Sequence, residues 1–466
     1  MQNLYRQIFF TTTKYVFLRN FFMVITGIVS IFIVRLLGPE EYGKYALVWQ
    51  LIGTIGPILS LGWHATLAKF LPEKDEQEKK ILFSQSVLSV AVLCLLFLLI
   101  GYIIIQFLPQ IIPAEIKQIK TLFLFFISFV AFFNVFEGFY RGLGKFNQWS
   151  IIDGMRSNLG NLLGLIFLIL GFRIYKSIIY SNFAVAFIFL VVVAFSLRNY
   201  FFFTKNKVEK VVLKFALTMF LGQIVYLFMS SIDSVMLRSI LKDPSKVGIY
   251  NAGIRIPKII ETMFIAVLST PFLYYFSSPG FAEQRLKILE FSSRILFIFF
   301  GFVSLLLFVF SKYIIFILFG NIYSESIITL QLSSLGLSLL AYLILFSVYF
   351  MSINKPEIGT FLGIAYFLIV GMLNLLFIPM FKSYGPAVSN LIALVVYCIL
   401  ILVIVKKLEF FKKFLLVGLC IFISVMFGYI FNHLLSPAIY LLLIILFNVI
   451  TFEEGKKVWE IIIRKV

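Results

Sequence analysis

Two histidines and three cysteines in 466 residues leave little metal-binding or redox chemistry within reach. His64 and His433 are far apart, and Cys94, Cys398 and Cys420 sit singly inside apolar runs, so neither a zinc cluster nor a disulfide framework assembles from them. Charge is scarce as well. Only 13% of residues are Asp, Glu, Lys or Arg, whereas soluble domains carry roughly a quarter, so the chain cannot present a soluble surface. The sequence has no G-x-S-x-G, no phosphate loop ending in GK[ST], no H-E-x-x-H and no aspartate pair suited to a nucleotide-sugar metal. No enzyme activity and no resident cofactor are expected, though ion or proton coupling stays open.

Hydrophobic residues make up 61% of the chain, 58 of them Phe, and mean hydropathy is +1.04. A spanning helix needs about 20 apolar residues, and such runs recur along the whole length. They predict an all-α integral membrane protein with about fourteen transmembrane helices. The expected spans are 16–37, 45–68, 82–108, 121–140, 151–172, 177–197, 213–239, 248–276, 288–310, 326–350, 358–380, 384–405, 413–432 and 435–452. The first run continues into Gly38-Pro39-Glu40-Glu41 and shows no small-residue cleavage site, so helix one is expected to be retained. Tyr200 to Phe203 are expected in an interfacial belt. Basic residues concentrate in alternate connections, among them Lys74, Lys79, Lys80, Lys205, Lys207, Lys406 and Lys407, which places both termini in the cytoplasm. The net charge of +19 is then mostly topological bias and attraction to anionic lipid, and no nucleic-acid partner is expected.

Charges inside the spans are the strongest functional signal. Each costs about 2.5 to 3.5 kcal/mol at the centre of a spanning helix, so a chain that keeps several has a hydrated path or a charged ligand for them. Arg255 and Lys258 lie one turn apart, followed by Glu261 and interrupted by Pro257. Two readings stand: contact with an anionic substrate, or a structural set in which Glu261 neutralises Lys258 and Arg255 pairs with Asp233. Asp233 ends a polar face made by Gln223, Tyr226 and Ser230. Arg19 and Arg35 bracket helix one. Asp153, Arg156, Ser157, Asn158 and Asn161 make one face of the fifth span polar, with Gly160 and Gly164 in a small-xxx-small pattern. Lys69, Glu137 and Arg294 read as interfacial and His64 as a packing residue.

A faint repeat joins the two halves. IVRLLGPEEYGKY (Ile33 to Tyr45) and VMLRSILKDPSKVGIY (Val235 to Tyr250) share an arginine, a turn with proline and acid, and a glycine and tyrosine opening the next helix, at an offset of about 205 residues. An even six helices per half implies parallel repeats. Together with LSLGWHATLAKFLPE (Leu59 to Glu73), YRGLGKFNQWSIIDGMRSNLGNLLGLIFL (Tyr140 to Leu168) and SSIDSVMLRSILKDPSKVGIYNAGIRIP (Ser230 to Pro257), these runs resemble the polysaccharide-biosynthesis branch of the multidrug/oligosaccharidyl-lipid/polysaccharide exporter superfamily. The resemblance implies two six-helix lobes, 1–200 and 201–408, around a central cavity, with two further helices and a basic tail over 409–466. It also implies movement of an undecaprenyl-pyrophosphate-linked oligosaccharide from the inner to the outer leaflet of the cell membrane by alternating access. Asp233 and Arg19 resemble charged positions of that family.

The expected substrate-contacting set is Arg255, Lys258, Arg19, Asp233, Glu261 and Arg35. The expected partners are the lipid-linked glycan and the bilayer. A monomer is expected, with glycan polymerase and glycosyltransferases as associates. Alternatives within the superfamily are a multidrug or cation antiporter, which needs a deep carboxylate, and a lipid II flippase, which differs only in cargo. A polytopic glycan polymerase or glycosyltransferase would need a large outer loop, and none of the expected outer connections is long.

Overall fold

The computed structural model describes residues 2–110, 112–201, 209–265, 272, 276, 285–353, 355–405, 408–430, 433–447 and 449, with side chains from Phe17 onward except at 225–230, 356, 408–411 and 429. Among these residues there are helices and turns and no strand. In hydrocarbon, backbone N–H and C=O groups must be satisfied within the segment, and the helix does this. Among the described residues, seven helical stretches are long and apolar enough to cross a membrane: Phe17–Leu59, Glu76–Phe107, Lys120–Gly142, Tyr175–Ser196, Arg285–Leu318, Ser326–Ser352 and Glu357–Val405. The protein is a multi-pass membrane protein.

The chain begins with α1 (Gln2–Leu59), which is two arms joined at Gly38. Gly38 holds φ 73° and ψ 170°, a backbone position open to glycine, and Pro39 restarts the helix where its missing N–H costs nothing. The single span expected over 45–68 is divided: Leu61 and Gly62 both take positive φ, and α2 (Trp63–Phe70) begins anew. The cause is local. Pro57 interrupts the ladder, and its freed region closes as a turn in which both the backbone N and Oγ of Ser60 donate to the Pro57 carbonyl, at 3.0 and 2.6 Å. Next, α3 (Glu76–Phe107) opens on a capping box between Asp75 and Glu78. There follow the short α4 (Ala114–Lys117), α5 (Lys120–Gly142), α6 (Phe146–Ile169), α7 (Tyr175–Ser196), α8 (Lys210–Leu241) and α9 (Pro244–Ile260). Beyond them lie α10 (Arg285–Leu318), α11 (Ser326–Ser352), α12 (Pro356–Phe381), α13 (Gly385–Val405), α14 (Leu408–Ile430) and α15 (Ser436–Leu446).

Contacts divide the chain into two compact units, Met1–Asn251 and Ala252–Val466. The core of the first is aromatic, with Phe83, Phe126, Phe136, Phe139 and Trp63 buried and the Phe83 and Phe139 rings 4.2 Å apart. Tyr200 and Phe201 join this cluster, at 4.9 Å from Phe139 and 5.2 Å from Phe83. They pack against the core of the first unit; Phe202 and Phe203 lie outside the described residues.

Lipid tails are as apolar as leucine, so helices associate by close packing, and small residues let backbones approach. A Cβ on Gly138 or Gly142 of α5 would meet the backbone oxygen of His64 or Leu67 at 2.5 and 2.6 Å, seating α2 on α5. On α6, a Cβ at Gly160 would meet the Asn182 side chain of α7 at 2.5 Å, and one at Gly164 would meet the Ile178 Cα at 3.1 Å.

A close backbone approach joins the two copies of the sequence repeat. A Cβ at Gly43 would fall 1.8 Å from the Pro244 carbonyl oxygen, and one at Gly248 would fall 1.9 Å from the Pro39 carbonyl oxygen. Pro39 and Gly43 thus face Pro244 and Gly248 reciprocally, at the offset of the repeat. Around this contact, Gln50 donates to Asn251 Oδ1 at 3.2 Å, Asn251 donates to Ser234 Oγ at 3.0 Å, and Tyr250 Oη donates to Asp233 Oδ2 at 2.7 Å. The acids of the two turns serve helix ends: Glu41 Oε2 accepts from Tyr175 N at 2.8 Å, and Asp243 Oδ1 accepts from Ser245 N at 2.8 Å.

In the second unit, α10 lies along α11, over a core of Phe297, Tyr342, Leu345, Phe346 and Tyr440. Gly301 makes room for Tyr440, whose hydroxyl donates to the Ile298 carbonyl at 3.2 Å. Arg294 is 5% exposed, donates to the Val449 carbonyl at 3.0 Å and lies 3.5 Å from Glu290, which also holds Lys413 at 3.1 Å. Burial of such a charge requires this surrounding set of partners.

The reciprocal glycine contact yields a stability test. Gly43→Ala and Gly248→Ala are each expected to cost about 1–3 kcal/mol, the usual range for overpacking. Gly53→Ala, where no atom lies within 4 Å of an added Cβ, is expected to leave the melting temperature in detergent unchanged. Equal melting curves for all three variants would overturn this account of the packing.

Candidate functional site

Polar side chains of α1, α5 and α6 converge inside the first unit on a cavity of about 280 Å³. The first arm of α1 supplies Arg19, Phe22 and Thr26, α5 supplies Glu137 and Arg141, and α6 supplies Trp149, Ser150, Asp153 and Ser157. Helical spacing accounts for the convergence: Arg19, Phe22 and Thr26 share one face of α1, as Ser150, Asp153 and Ser157 share one face of α6. Gly154 brings the two faces together, since a Cβ there would fall 2.3 Å from the Phe22 ring. Thr26 Oγ1 donates to Asn158 Oδ1 at 3.1 Å, and Asn158 Nδ2 donates to the Gly154 carbonyl at 2.8 Å and the Phe22 carbonyl at 3.2 Å. This network fixes the register of α1 against α6.

The charges of the cavity are mostly paired. Arg141 holds Glu137, four residues earlier on α5, and His64 Nε2 approaches the same carboxylate at 3.8 Å. Arg156 holds Asp153 at 2.7 Å while its guanidinium covers the Phe133 ring at 4.6 Å. Arg19 has no carboxylate within salt-bridge distance among the described residues. With each acid already matched by an arginine, Arg19 leaves the cavity one positive charge in excess. A site of this kind favours an anion that can accept from a guanidinium, a hydroxyl and an indole N–H.

Of the residues singled out in the sequence, the structure thus brings Arg19 into a polar cavity. Arg35 is exposed near the Gly38 kink. Asp233 is half-buried and bound by Tyr250 Oη, while the polar face proposed through Tyr226 and Ser230 lies outside the described side chains. Arg255, Lys258 and Glu261 belong to the second unit. Lys258 pairs with Glu261 at 3.0 Å, which is the structural arrangement weighed for these two, and Lys258 is 60% exposed. The helix runs through Pro257 and then widens into one π-helical turn, Glu261–Ile265, a local adjustment to the hydrogen bond that proline cannot make.

Glu137 and Arg141 went unrecognised as cavity residues because both fall near the end of a span, where snorkelling is the ordinary expectation. Their i, i+4 spacing on one helix was the available signal. Lys69 instead lies over the Phe215 ring at 4.0 Å.

A profile of the family described as "Polysaccharide biosynthesis protein" matches residues 12–276. A search of curated protein sequences found no match. Among solved structures, the fold is similar to a lipid II flippase MurJ in an inward closed conformation, with a TM-score of 0.72 at 16% identity over 93% of this chain and 98% of that one. It is also similar to an inward-facing multidrug resistance MATE family transporter of the MOP superfamily, with a TM-score of 0.69 at 17% identity over 83% and 95% of the two chains. A MOP superfamily transporter from Pyrococcus furiosus, whose binding pocket is described as reversed in polarity, matches with a TM-score of 0.62 at 17% identity over 84% and 94%. A match over more than half the length, carried on the fold of that superfamily, makes this chain a member of the polysaccharide biosynthesis protein family of membrane transporters and flippases.

Proposed function

We propose that the protein moves an undecaprenyl-pyrophosphate-linked oligosaccharide, the repeat unit of a surface polysaccharide, from the inner to the outer leaflet of the cell membrane. The observation that carries this reading is the Arg19 cavity in a chain of the polysaccharide biosynthesis family: it holds one guanidinium beyond those that pair with its acids, on a helix long and apolar enough to cross a membrane. A pyrophosphate cannot cross hydrocarbon unaccompanied, and an arginine flanked by hydroxyls and an indole offers it donors on the way. At about 280 Å³ the cavity suits the phosphates of such a lipid; the glycan and the polyprenyl tail need more room. In this reading the chain has fourteen spans with both termini cytoplasmic, lobes over 1–200 and 201–408, and a pair of helices after 409. The two lobes alternate access to the substrate, and Arg255 and Lys258 supply further cationic contacts, with Asp233, Glu261 and Arg35 balancing or gating them.

The likeness to a lipid II flippase favours one second reading, in which the cargo is a lipid-linked peptidoglycan precursor. Both cargoes share the polyprenyl pyrophosphate, so Arg19 has the same task in each. The antiporter reading is less well supported, because Glu137 and Asp153, the acids that line the cavity, are each engaged by an arginine.

Reconstituted proteoliposomes discriminate these readings. Wild type is expected to move a fluorescent polyprenyl-pyrophosphate-linked glycan outward, and Arg19→Ala to slow this about tenfold or more, the loss of one hydrogen bond to a charged group. Arg19→Lys is expected to keep an intermediate rate, while Arg255→Ala and Lys258→Ala are expected to weaken transport by smaller factors. Wild-type rates in all three alanine variants, with the proteins folded, would defeat the site assignment. Export of cationic drugs with no glycan movement would defeat the function.

The role of Glu137 is tested separately. Glu137→Gln removes the negative charge that Arg141 pairs with and is expected to lower the melting temperature, with Glu137→Gln/Arg141→Gln recovering most of the loss. An antiporter would instead lose cation- or proton-driven uptake in the single variant at unchanged stability.

A further inference from the structure

The first unit contains a second cavity, about 810 Å³ in volume, that shares no lining residue with the Arg19 site. Its walls are apolar and come from the second arm of α1 (Leu51, Ile55), α3 (Phe97, Ile104), α5 (Phe123) and the end of α8 (Val235). One end is different: Arg238 and Ser239 from the last turn of α8 and Lys242, the residue that caps it, line it. A slot that is greasy along its length and cationic at one end has the polarity of a lipid with an anionic headgroup.

Its location fits such a guest. Of the seven spans, α3 is the least buried, with 17% of its most apolar window inside the protein, and Leu99, Ile103 and Phe107 of its outward face are exposed. The slot behind α3 therefore lies at the flank of the unit, where acyl chains lie in a bilayer.

The charge balance narrows the ligand. Arg238 donates through Nε and Nη2 to Oε1 of Glu115, at 3.0 and 2.8 Å, and that carboxylate is 3% exposed. Glu115 thus offsets Arg238 from behind the wall. Asp243, next along the chain from Lys242, is directed to Ser245 N and Oγ and does not line the slot. No carboxylate lines the cavity, which leaves the equivalent of one positive charge, at Lys242. A phosphodiester carries one negative charge and matches it; a pyrophosphate would bring more charge than the site balances. Lys242 is held at the mouth by its left-handed conformation (φ 55°), which ends α8 and turns the chain.

We propose that this slot is a binding site for one anionic phospholipid, its phosphodiester at Lys242 and Arg238 and an acyl chain along the apolar wall. The site is separate from the transport cavity, and its test does not depend on what the protein transports.

Binding is measured on the purified full chain in detergent, by native mass spectrometry and thermal melting, with phosphatidylglycerol and phosphatidylcholine as probes. Wild type is expected to prefer phosphatidylglycerol by about fivefold, the contribution of one lysine near an anionic headgroup. Lys242→Asn keeps a residue that tolerates the left-handed backbone and is expected to bring the ratio close to one; Lys242→Arg is expected to keep it. Val235→Trp fills the slot and is expected to reduce binding of both lipids. Equal binding of the two lipids by wild type, or an undiminished preference in Lys242→Asn, overturns the proposal. Displacement of phosphatidylglycerol by an equimolar polyprenyl pyrophosphate, lost in Lys242→Asn, would reassign the slot to the transported lipid and overturn it equally.

Discussion

Where Gly43 meets the Pro244 carbonyl and Gly248 meets the Pro39 carbonyl, two backbones touch with no side chain between them. A membrane helix gains little from burying apolar surface against a neighbour instead of lipid, so close packing and interhelical hydrogen bonds have to hold the bundle. The glycine contact supplies both. It brings α9 and the second arm of α1 near enough for Gln50, Asn251 and Ser234 to bond in sequence, and it fixes the turns whose acids cap α7 and α9. The same device recurs at Gly138 and Gly142 against α2.

Charge in this protein is arranged by matching, and what remains unmatched is informative. In the Arg19 cavity each lining acid has an arginine, leaving one guanidinium over. In the α3–α8 slot one buried glutamate offsets one arginine, leaving Lys242. In the second unit Arg294 and Lys413 share the one carboxylate of Glu290, and Arg294 also donates to the Val449 carbonyl. The first two present a positive surplus to a cavity and read as anion sites; the third is also one cation in excess, but its arginine is buried against protein partners and reads as structure.

Much of this was legible in the residues. Apolar runs of spanning length marked the helices, because hydrocarbon permits no other local solution for the backbone. The expected division at Gly38-Pro39 was visible because glycine and proline each permit one thing there, a positive φ and a helix start. The break at Leu61 was not, since a leucine at φ 51° is held by its surroundings and gives no signal in the sequence. Arg19 was recognisable as a charge with a long apolar run after it, whereas Glu137 and Arg141 looked like ordinary residues at a helix end.

The sequence by itself determined the solvent, the helical class, the family and the repeat, since each follows from residue type and spacing along one chain. Only the tertiary structure decided which charges meet across helices, that Glu115 is matched by Arg238 while Arg19 has no carboxylate within salt-bridge distance among the described residues. It also decided that the two copies of the repeat meet glycine to carbonyl. Those outcomes depend on distances between helices far apart in the chain, and Coulomb attraction and steric contact act through space.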